Sequence, residues 1–294
     1  MKGRICLITG ANSGIGKATA LGLAKMGATV VMVCRNQGRG AAALQEIKAQ
    51  SGNEAVELML ADLSCQAAVR QLAQDFKDRY QQLHVLVNNA GLQLWERSLT
   101  VDSIETTFAV NHLAAFLLTN LLLDVLKAGV PSRIVNVSSV VHRWASIDFD
   151  NLQGEAGYNS NRAYYQSKLA NVYFTYELAR RLKGTGVTVN CLEPGMVRTN
   201  FARDFRGFFR LMAILYRPFM KSPEKGAEPV LYLACSPEVE GVSGKYFAKK
   251  RELRSSKQSY DTAIARRLLE VSEELTASGP RSQGDGVGDY ATGD

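Results

Sequence analysis

The sequence predicts an α/β fold in which helices cover both faces of a doubly wound parallel sheet, within a single domain. Three observations lead to this prediction. Short apolar, β-branched segments alternate with segments of helical periodicity. A glycine-rich turn joins the first apolar segment to the first helical one. The chain shows no internal repeat and no linker that would divide this alternating region.

Six apolar segments, each bounded by turn residues, are predicted to be buried strands. They lie at 5–9, 29–34, 56–60, 85–88, 133–138 and 187–192. Helical periodicity between them predicts helices at about 15–26, 38–50, 65–80, 101–128 and 161–183. Because crossovers between parallel strands are right-handed, this alternation predicts a Rossmann-like sheet.

Two more helices are predicted in the last third of the chain. Ser222 suits an N-cap and Pro223 the first helical position, which predicts a helix at 222–236. Apolar residues at helical spacing predict a final helix near 264–275. The expected boundaries are 1–277 for the folded domain and 278–294 for a flexible, Gly-, Ser- and Asp-rich tail.

A segment rich in Phe, Leu, Met and Arg precedes the helix at 222–236. We interpret the region around 200–222 as a substrate lid. The sequence leaves open whether 201–221 packs on the body as a lid, forms the wall of an apolar pocket, or contacts a membrane surface through its arginines.

Composition excludes several classes of protein. A chain of 294 residues that is 46% hydrophobic and 21% charged has enough apolar residues for a large core. The net charge of +7 fits either a solvated surface or an anionic partner, and no nucleic acid is expected. Five scattered cysteines indicate reduced thiols and a cytoplasmic setting, and three scattered histidines predict no metal site. No apolar run approaches the length of a membrane span.

The glycine-rich turn follows the first predicted strand and has the form Thr-Gly-x-x-x-Gly-Ile-Gly. Glycines at these positions allow a tight turn, close approach of a pyrophosphate to the backbone, and close packing of the helix on the strand. The free N–H groups of the helix N-terminus then face the phosphates. The residues predicted to bind the phosphates are Gly10, Asn12, Ser13, Gly14, Ile15 and Gly16.

A tyrosine and a lysine four residues apart are the strongest candidates for chemistry. Tyr164 and Lys168 lie in a predicted helix, so both side chains project from one face. A phenol is a poor base at neutral pH, and we expect the nearby ammonium to lower the pKa of Tyr164. Alone this spacing is common, and it gains weight from Ser138-Ser139 at the end of the fifth predicted strand.

Taken in order, the glycine turn, Asn88-Asn89-Ala90-Gly91, the serine pair, the Tyr-Lys pair and the Pro194-Gly195 segment resemble the short-chain dehydrogenase/reductase family. The match covers residues 3–200 almost continuously. The resemblance implies a reaction in which hydride moves between nicotinamide and substrate while Tyr164 donates or accepts the proton. It implies four catalytic residues, Asn111, Ser139, Tyr164 and Lys168.

The resemblance also implies further contacts to the dinucleotide. In the family, Ser139 would hold the substrate oxygen, Asn111 would kink its helix and hold a water in a relay to Lys168, and Lys168 would bind the nicotinamide ribose. Besides Tyr164 and Lys168, the implied cofactor-binding residues are Asp62, Leu63, Asn89, Ala90, Gly91, Pro194, Gly195, Val197 and Thr199.

The end of the second predicted strand favours NADP(H) over NAD(H). An NAD-selective site usually places a carboxylate there, whereas this chain has Arg35 followed by Asn36. The guanidinium of Arg35 can pair with a 2′-phosphate that a carboxylate would repel, and Lys17 could assist it. A surface arginine without this role is the alternative.

Within the family, the sequences around the serine pair, in the Tyr-Lys helix and in the last helix look like those of the retinol dehydrogenase-like branch. That branch implies an apolar, retinoid- or lipid-like carbonyl or alcohol as substrate. The chain departs from the branch at Glu193, where a histidine is common. A homo-oligomer through the fourth and fifth helices is common in the family, but nothing else in the sequence tests it.

Other functions fit the sequence less well. A catalytically silent NADP(H)-binding sensor or scaffold would usually lack the tyrosine or the lysine. A sugar-nucleotide epimerase would need a larger C-terminal substrate domain than the roughly 95 residues after Thr199 provide. A methyltransferase would share the glycine turn but would not explain the Tyr-Lys pair.

Overall fold

The computed structural model describes residues 1–197 and 220–277 and contains a single eight-stranded sheet in these ranges. The strands are β1 (Ile5–Thr9), β2 (Thr29–Cys34), β3 (Val56–Leu60), β4 (Val85–Asn88), β5 (Ser132–Val137), β6 (Val187–Glu193), β7 (Lys245–Ala248) and β8 (Arg251–Leu253). They lie in the order β3-β2-β1-β4-β5-β6-β7-β8. All neighbours are parallel except β7 and β8, which are antiparallel at one edge. The fold prediction is therefore confirmed.

Helices cover both faces of this sheet. They are α1 (Gly14–Lys25), α2 (Gln37–Ser51), α3 (Gln66–Arg79), α4 (Thr106–Phe108), α5 (Ala114–Leu121), α6 (Leu123–Ala128), α7 (Ser160–Arg181), α8 (Pro223–Cys235) and α9 (Thr262–Ala277). A π-helical turn, Ala109–Leu113, connects α4 to α5, and a short 3₁₀ helix, Val140–Trp144, follows β5. None of the described helices is both long and apolar enough to cross a membrane.

Alternate side chains of the strands pack into two separate cores, one on each face of the sheet. In β1, Leu7 packs with residues of α3, α5 and α7, while Ile8 packs with residues of α1, α2 and α8. Both side chains are fully buried. Burial on both faces explains why β1 and β2 are almost continuously apolar instead of alternating.

The strand order reverses direction between β1 and β4, because the chain winds from β1 to β3 on one side and from β4 onward on the other. In parallel sheets, ligands bind at the carboxyl ends of the strands beside such a switch point. The carboxyl ends of β1, β4, β5 and β6 therefore define the place where a site is expected.

Three details differ from the prediction. The helix predicted at 101–128 is divided by the π turn and by Leu122, where α5 ends. The fifth strand begins one residue earlier than predicted and ends at Val137, while β6 extends to Glu193. β7 and β8 were not predicted; β8 is an exposed, charged edge strand with no apolar pattern. Predictions for 200–219 and 278–294 lie outside the described residues.

Candidate active site

The glycine turn is built so that side chains would not fit. Gly10 and Gly14 have φ of +67° and +55°, a conformation that other L-residues rarely adopt. A Cβ on Gly16 would lie 2.5 Å from Asn89 Nδ2 and closer still to the carbonyl oxygen of Gly10. The turn, the start of α1 and the end of β4 are therefore in close contact at Gly10 and Gly16.

The N-terminus of α1 has the form of an anion-binding site. Ser13 is the N-cap in extended conformation, and within the described part of the chain its hydroxyl does not cap the helix. The first turn contains no acidic residue. Ser13 therefore leaves the first N–H groups of the helix without a side-chain cap, and a phosphate could satisfy them. Asn12 precedes the N-cap. Ile15 and Val197 both lie beside Gly226, where an added Cβ would be within 3.2 Å of each side chain.

Thr9 and Asn89 hold the turn to the end of β4. The N–H groups of Asn89 and Ala90 both donate to Thr9 Oγ1 at 3.0 Å, and Asn89 Nδ2 donates to the Thr9 carbonyl oxygen at 2.8 Å. Gly91 follows directly, and a Cβ there would lie 3.1 Å from Lys168 Nζ. The same short segment thus contacts both the predicted phosphate turn and the predicted catalytic lysine.

The residues predicted to select the dinucleotide lie at the ends of β2 and β3. Arg35 Nη1 is 3.8 Å from Asp62 Oδ2, and the Arg35 side chain is 65% exposed, so the guanidinium remains accessible to a phosphate. Asn36 is the N-cap of α2 and accepts a hydrogen bond from the Arg39 N–H. Leu63 is half-buried beside Asp62, at the end of the same strand.

Two further basic residues, Lys17 and Arg39, lie near the position expected to bind a 2′-phosphate. Lys17 forms an ion pair with Glu46 on α2, which gives its ammonium a protein partner. Arg39, which was not singled out from the sequence, lies close to Cys34: burial raises the pKa of that thiol and the charge of Arg39 lowers it. A second arginine one helical turn after Arg35 was the signal in the sequence.

Tyr164 and Lys168 lie on one face of α7, as the spacing predicted. Lys168 is 4% exposed, and its Nζ donates to the Val137 carbonyl oxygen at 3.2 Å and lies 5.6 Å from the centre of the Tyr164 ring. Tyr164 is half-buried and hydrogen-bonded to the Ser139 side chain. The phenol, the hydroxyl and the ammonium therefore form one group at the carboxyl end of β5.

The expected acidification of Tyr164 is wrong for this structure. Burial is the largest influence and raises the pKa of the Tyr164 phenol, the hydrogen bond with Ser139 lowers it, and Tyr165 raises it further. Burial also lowers the pKa of Lys168 to about 8. Because a buried phenolate is costly, the phenol of Tyr164 is held protonated, which suits a proton donor.

Ser138 and Ser139 have different partners. Ser138 is buried, and its Oγ donates to the Lys168 carbonyl oxygen at 2.8 Å, so it joins β5 to α7. Ser139 is the N-cap of the 3₁₀ helix and lies beside Tyr164. Of the two serines, Ser139 is the one beside Tyr164, and its contact with a substrate oxygen stays a prediction.

Asn111 occupies the centre of the π-helical turn and is 1% exposed. Its Oδ1 accepts from the Leu92 N–H at 2.7 Å, and its Nδ2 donates to the Leu92 carbonyl oxygen and to Ser167 Oγ, both at 2.9 Å. Its own carbonyl oxygen accepts from Asn171 Nδ2 at 2.9 Å. The wide turn thus places Asn111 as a clamp between the loop after Gly91 and α7.

The segment after β6 completes the edge of the cleft. Gly195 has φ of +82°, and a Cβ there would lie 3.2 Å from Lys221 Nζ. Val197 pairs with Lys221 and lies against Gly226 near the start of α8. Pro194 begins this segment, and Thr199 lies outside the described residues. The sequence offered no role for Tyr246, whose hydroxyl donates to Glu193 Oε2 at 2.6 Å.

Comparison with known proteins agrees with this geometry. A family model described as short chain dehydrogenase matches residues 4–207. The chain is 45% identical over 275 residues to retinol dehydrogenase 11 of Homo sapiens, covering 94% of this chain and 86% of that protein. It is 43% identical over 293 residues to retinol dehydrogenase 14 of Mus musculus, with the same coverage. A blue fluorescent protein from a metagenomic library, solved in complex with NADPH, is 28% identical, with a TM-score of 0.68 over 84% of this chain and 96% of that chain.

Proposed function

Because this chain belongs to the short-chain dehydrogenase/reductase family, in its retinol dehydrogenase-like branch, we propose that it uses NADP(H) to interconvert an apolar alcohol and the corresponding aldehyde or ketone. Family membership makes it an oxidoreductase. The observation that carries the finer proposal is the group formed by Ser139, Tyr164 and Lys168 at the carboxyl end of β5.

The residues present fit a dinucleotide. The glycine turn leaves no room for a side chain at Gly16, and the N-terminus of α1 offers N–H groups to a pyrophosphate. Arg35, exposed at the end of β2, supports NADP(H), because its guanidinium would pair with the 2′-phosphate. A relative in fold solved with NADPH is consistent with this choice.

The mechanism follows from which atoms can hold a proton. Bound NADPH would supply the hydride that adds to the carbonyl carbon. Ser139 and Tyr164 would both donate hydrogen bonds to the carbonyl oxygen, and Tyr164 would transfer its proton to that oxygen as negative charge develops. In oxidation, Tyr164 would accept the proton. Lys168 donates one of its three N–H groups to Val137, so, as far as the described residues go, the other two would be available to the cofactor ribose and the proton path.

An apolar substrate is supported by the named relatives, which are retinol dehydrogenases. The rim of the site adds a second argument. Trp144, at the end of the 3₁₀ helix that begins after Ser139, is 69% exposed, and its ring centroid is 6.3 Å from that of Tyr165 on α7. An exposed indole beside a catalytic helix favours contact with an apolar molecule.

The test measures NADPH consumption with all-trans-retinal, decanal and the polar glyceraldehyde. We expect turnover of the apolar aldehydes and a loss of about 100-fold or more in kcat for Tyr164→Phe, with NADPH binding retained. Tyr165→Phe is the matched control and should keep its activity, since the neighbouring ring faces Trp144. Full turnover by Tyr164→Phe would refute the assigned acid. A wild-type protein that binds NADPH but reduces no aldehyde or ketone would favour a silent cofactor-binding sensor.

A further inference from the structure

A buried histidine lies three residues after Ser139 and contacts its backbone. His142 is 0% exposed. Its Nδ1 is 2.7 Å from the Ser139 carbonyl oxygen, and its Nε2 accepts a hydrogen bond from the Ser256 N–H at 3.1 Å. The His142 N–H also donates to the Ser139 carbonyl oxygen, at 3.2 Å. His142 thus bridges the end of β5 to a segment more than a hundred residues later.

The two partners determine the protonation of the ring. The Ser139 carbonyl oxygen can only accept, so Nδ1 must carry a hydrogen. The Ser256 N–H can only donate, so Nε2 must be unprotonated. The ring is therefore neutral and in a single tautomer. Burial lowers the pKa of His142 to about 4, which keeps this form populated at neutral pH.

The surroundings of His142 prevent the ring from moving. Its centroid lies 4.8 Å from that of Tyr246, a fully buried ring whose hydroxyl donates to Glu193. The segment that carries Ser256 is also fixed: Arg143 donates to the carbonyl oxygen of Arg254 at 2.6 Å. The histidine is consequently packed between the end of β5, Tyr246 of β7 and the segment that carries Ser256.

We propose that His142 is a positioning residue for Ser139. His142 holds the backbone carbonyl of Ser139 in place. By fixing the backbone of Ser139, it orients the side-chain hydroxyl of the same residue toward Tyr164. Errors of a fraction of an ångström in such a donor reduce the rate of a reaction. This assignment rests on the proposed carbonyl reductase function.

Three variants separate the two hydrogen bonds of the ring. His142→Asn retains an N–H near the position of Nδ1, His142→Gln retains a polar group near Nε2, and His142→Phe retains only the ring. We expect kcat for retinal reduction to fall about tenfold in the Phe variant, to be largely restored in the Asn variant, and to remain low in the Gln variant. His84→Gln is the control, because His84 is also buried and hydrogen-bonded but lies at the opposite end of the sheet.

A double-mutant cycle distinguishes positioning from general destabilisation. If His142 acts through the Ser139 hydroxyl, His142→Phe should lower kcat by less than about twofold in the Ser139→Ala background. A loss as large as in the wild-type background would overturn the assignment. Nitrogen-15 NMR of the wild-type protein provides a second test that does not depend on folding of a variant: an Nε2-protonated ring would also overturn it. If the wild-type protein reduces no carbonyl although His142 is protonated at Nδ1, the proposed carbonyl reductase function is what failed. The positioning role of His142 would then be rejected together with that function.

Discussion

The buried His112 should make the protein sensitive to mild acid. Its ring is 0% exposed and lies among Phe108, Phe116 and Phe174. Its nitrogens are 3.1 Å from Asn171 Oδ1 and 3.0 Å from Ser272 Oγ. Burial lowers the pKa of His112 to about 4, and the Asn171 hydrogen bond only partly offsets this. The folded protein therefore disfavours the imidazolium.

The sign and size of the effect follow from linkage. Between about pH 6.5 and pH 4 the unfolded chain binds a proton at His112 that the folded chain does not bind, so stability must fall as the pH decreases through this window. A pKa difference of about 2.5 corresponds to about 3.4 kcal/mol in full. At about pH 5, midway through the window, about 2 kcal/mol should already be lost.

Urea unfolding of the wild-type protein and of His112→Gln, at about pH 7 and about pH 5, measures this loss. Carboxylates and His142 also titrate, but they do so in both proteins, so the difference between the two free energies of unfolding isolates His112. Lowering the pH from about 7 to about 5 should reduce the free energy of unfolding of the wild type by about 2 kcal/mol more than that of His112→Gln. A difference that does not depend on pH would refute the reasoning.

Three further predictions concern the cofactor and the lysine. Arg35→Asp should weaken NADPH binding at least about tenfold more than NADH binding in fluorescence titrations; equal losses would remove Arg35 from the 2′-phosphate role. Gly16→Ala should weaken NADPH binding by at least about tenfold because its Cβ meets Asn89 Nδ2, while the control Gly38→Ala, whose Cβ would have an ordinary contact, should not. The pKa of Lys168, lowered by burial to about 8, predicts that kcat/KM for carbonyl reduction falls as the pH rises through that value, and a flat profile would contradict it.

The fold was predictable where local sequence signals agree with burial. β1 and β2 are nearly continuous apolar runs because both faces of the sheet are covered, and the glycine turn has a spacing that few other structures require. β8 was not predictable, because an exposed edge strand of Arg, Glu and Leu has no apolar pattern. The π turn was expected only as the helix kink that the family resemblance implies at Asn111, since its residues have ordinary helical character.

The site was predictable as a set of residues but only partly as a set of interactions. The spacing of Tyr164 and Lys168 determined that they share a face of α7. It did not determine that burial would dominate the pKa of Tyr164, because desolvation depends on the packing of distant segments. The same holds for His142, whose partner Ser256 is 114 residues away in the chain. Contacts of this kind follow from the tertiary fold.

Hydride transfer itself can be measured directly. NADPH carrying deuterium at the transferred position of the nicotinamide should be mixed in a single turnover with an apolar aldehyde such as all-trans-retinal, and the product analysed by mass spectrometry. We predict an alcohol with one deuterium on its carbinol carbon, formed by the wild-type protein and by Tyr165→Phe but at least about 100-fold more slowly by Tyr164→Phe. Alcohol without deuterium, or equal rates in all three proteins, would contradict hydride transfer with Tyr164 as the proton donor.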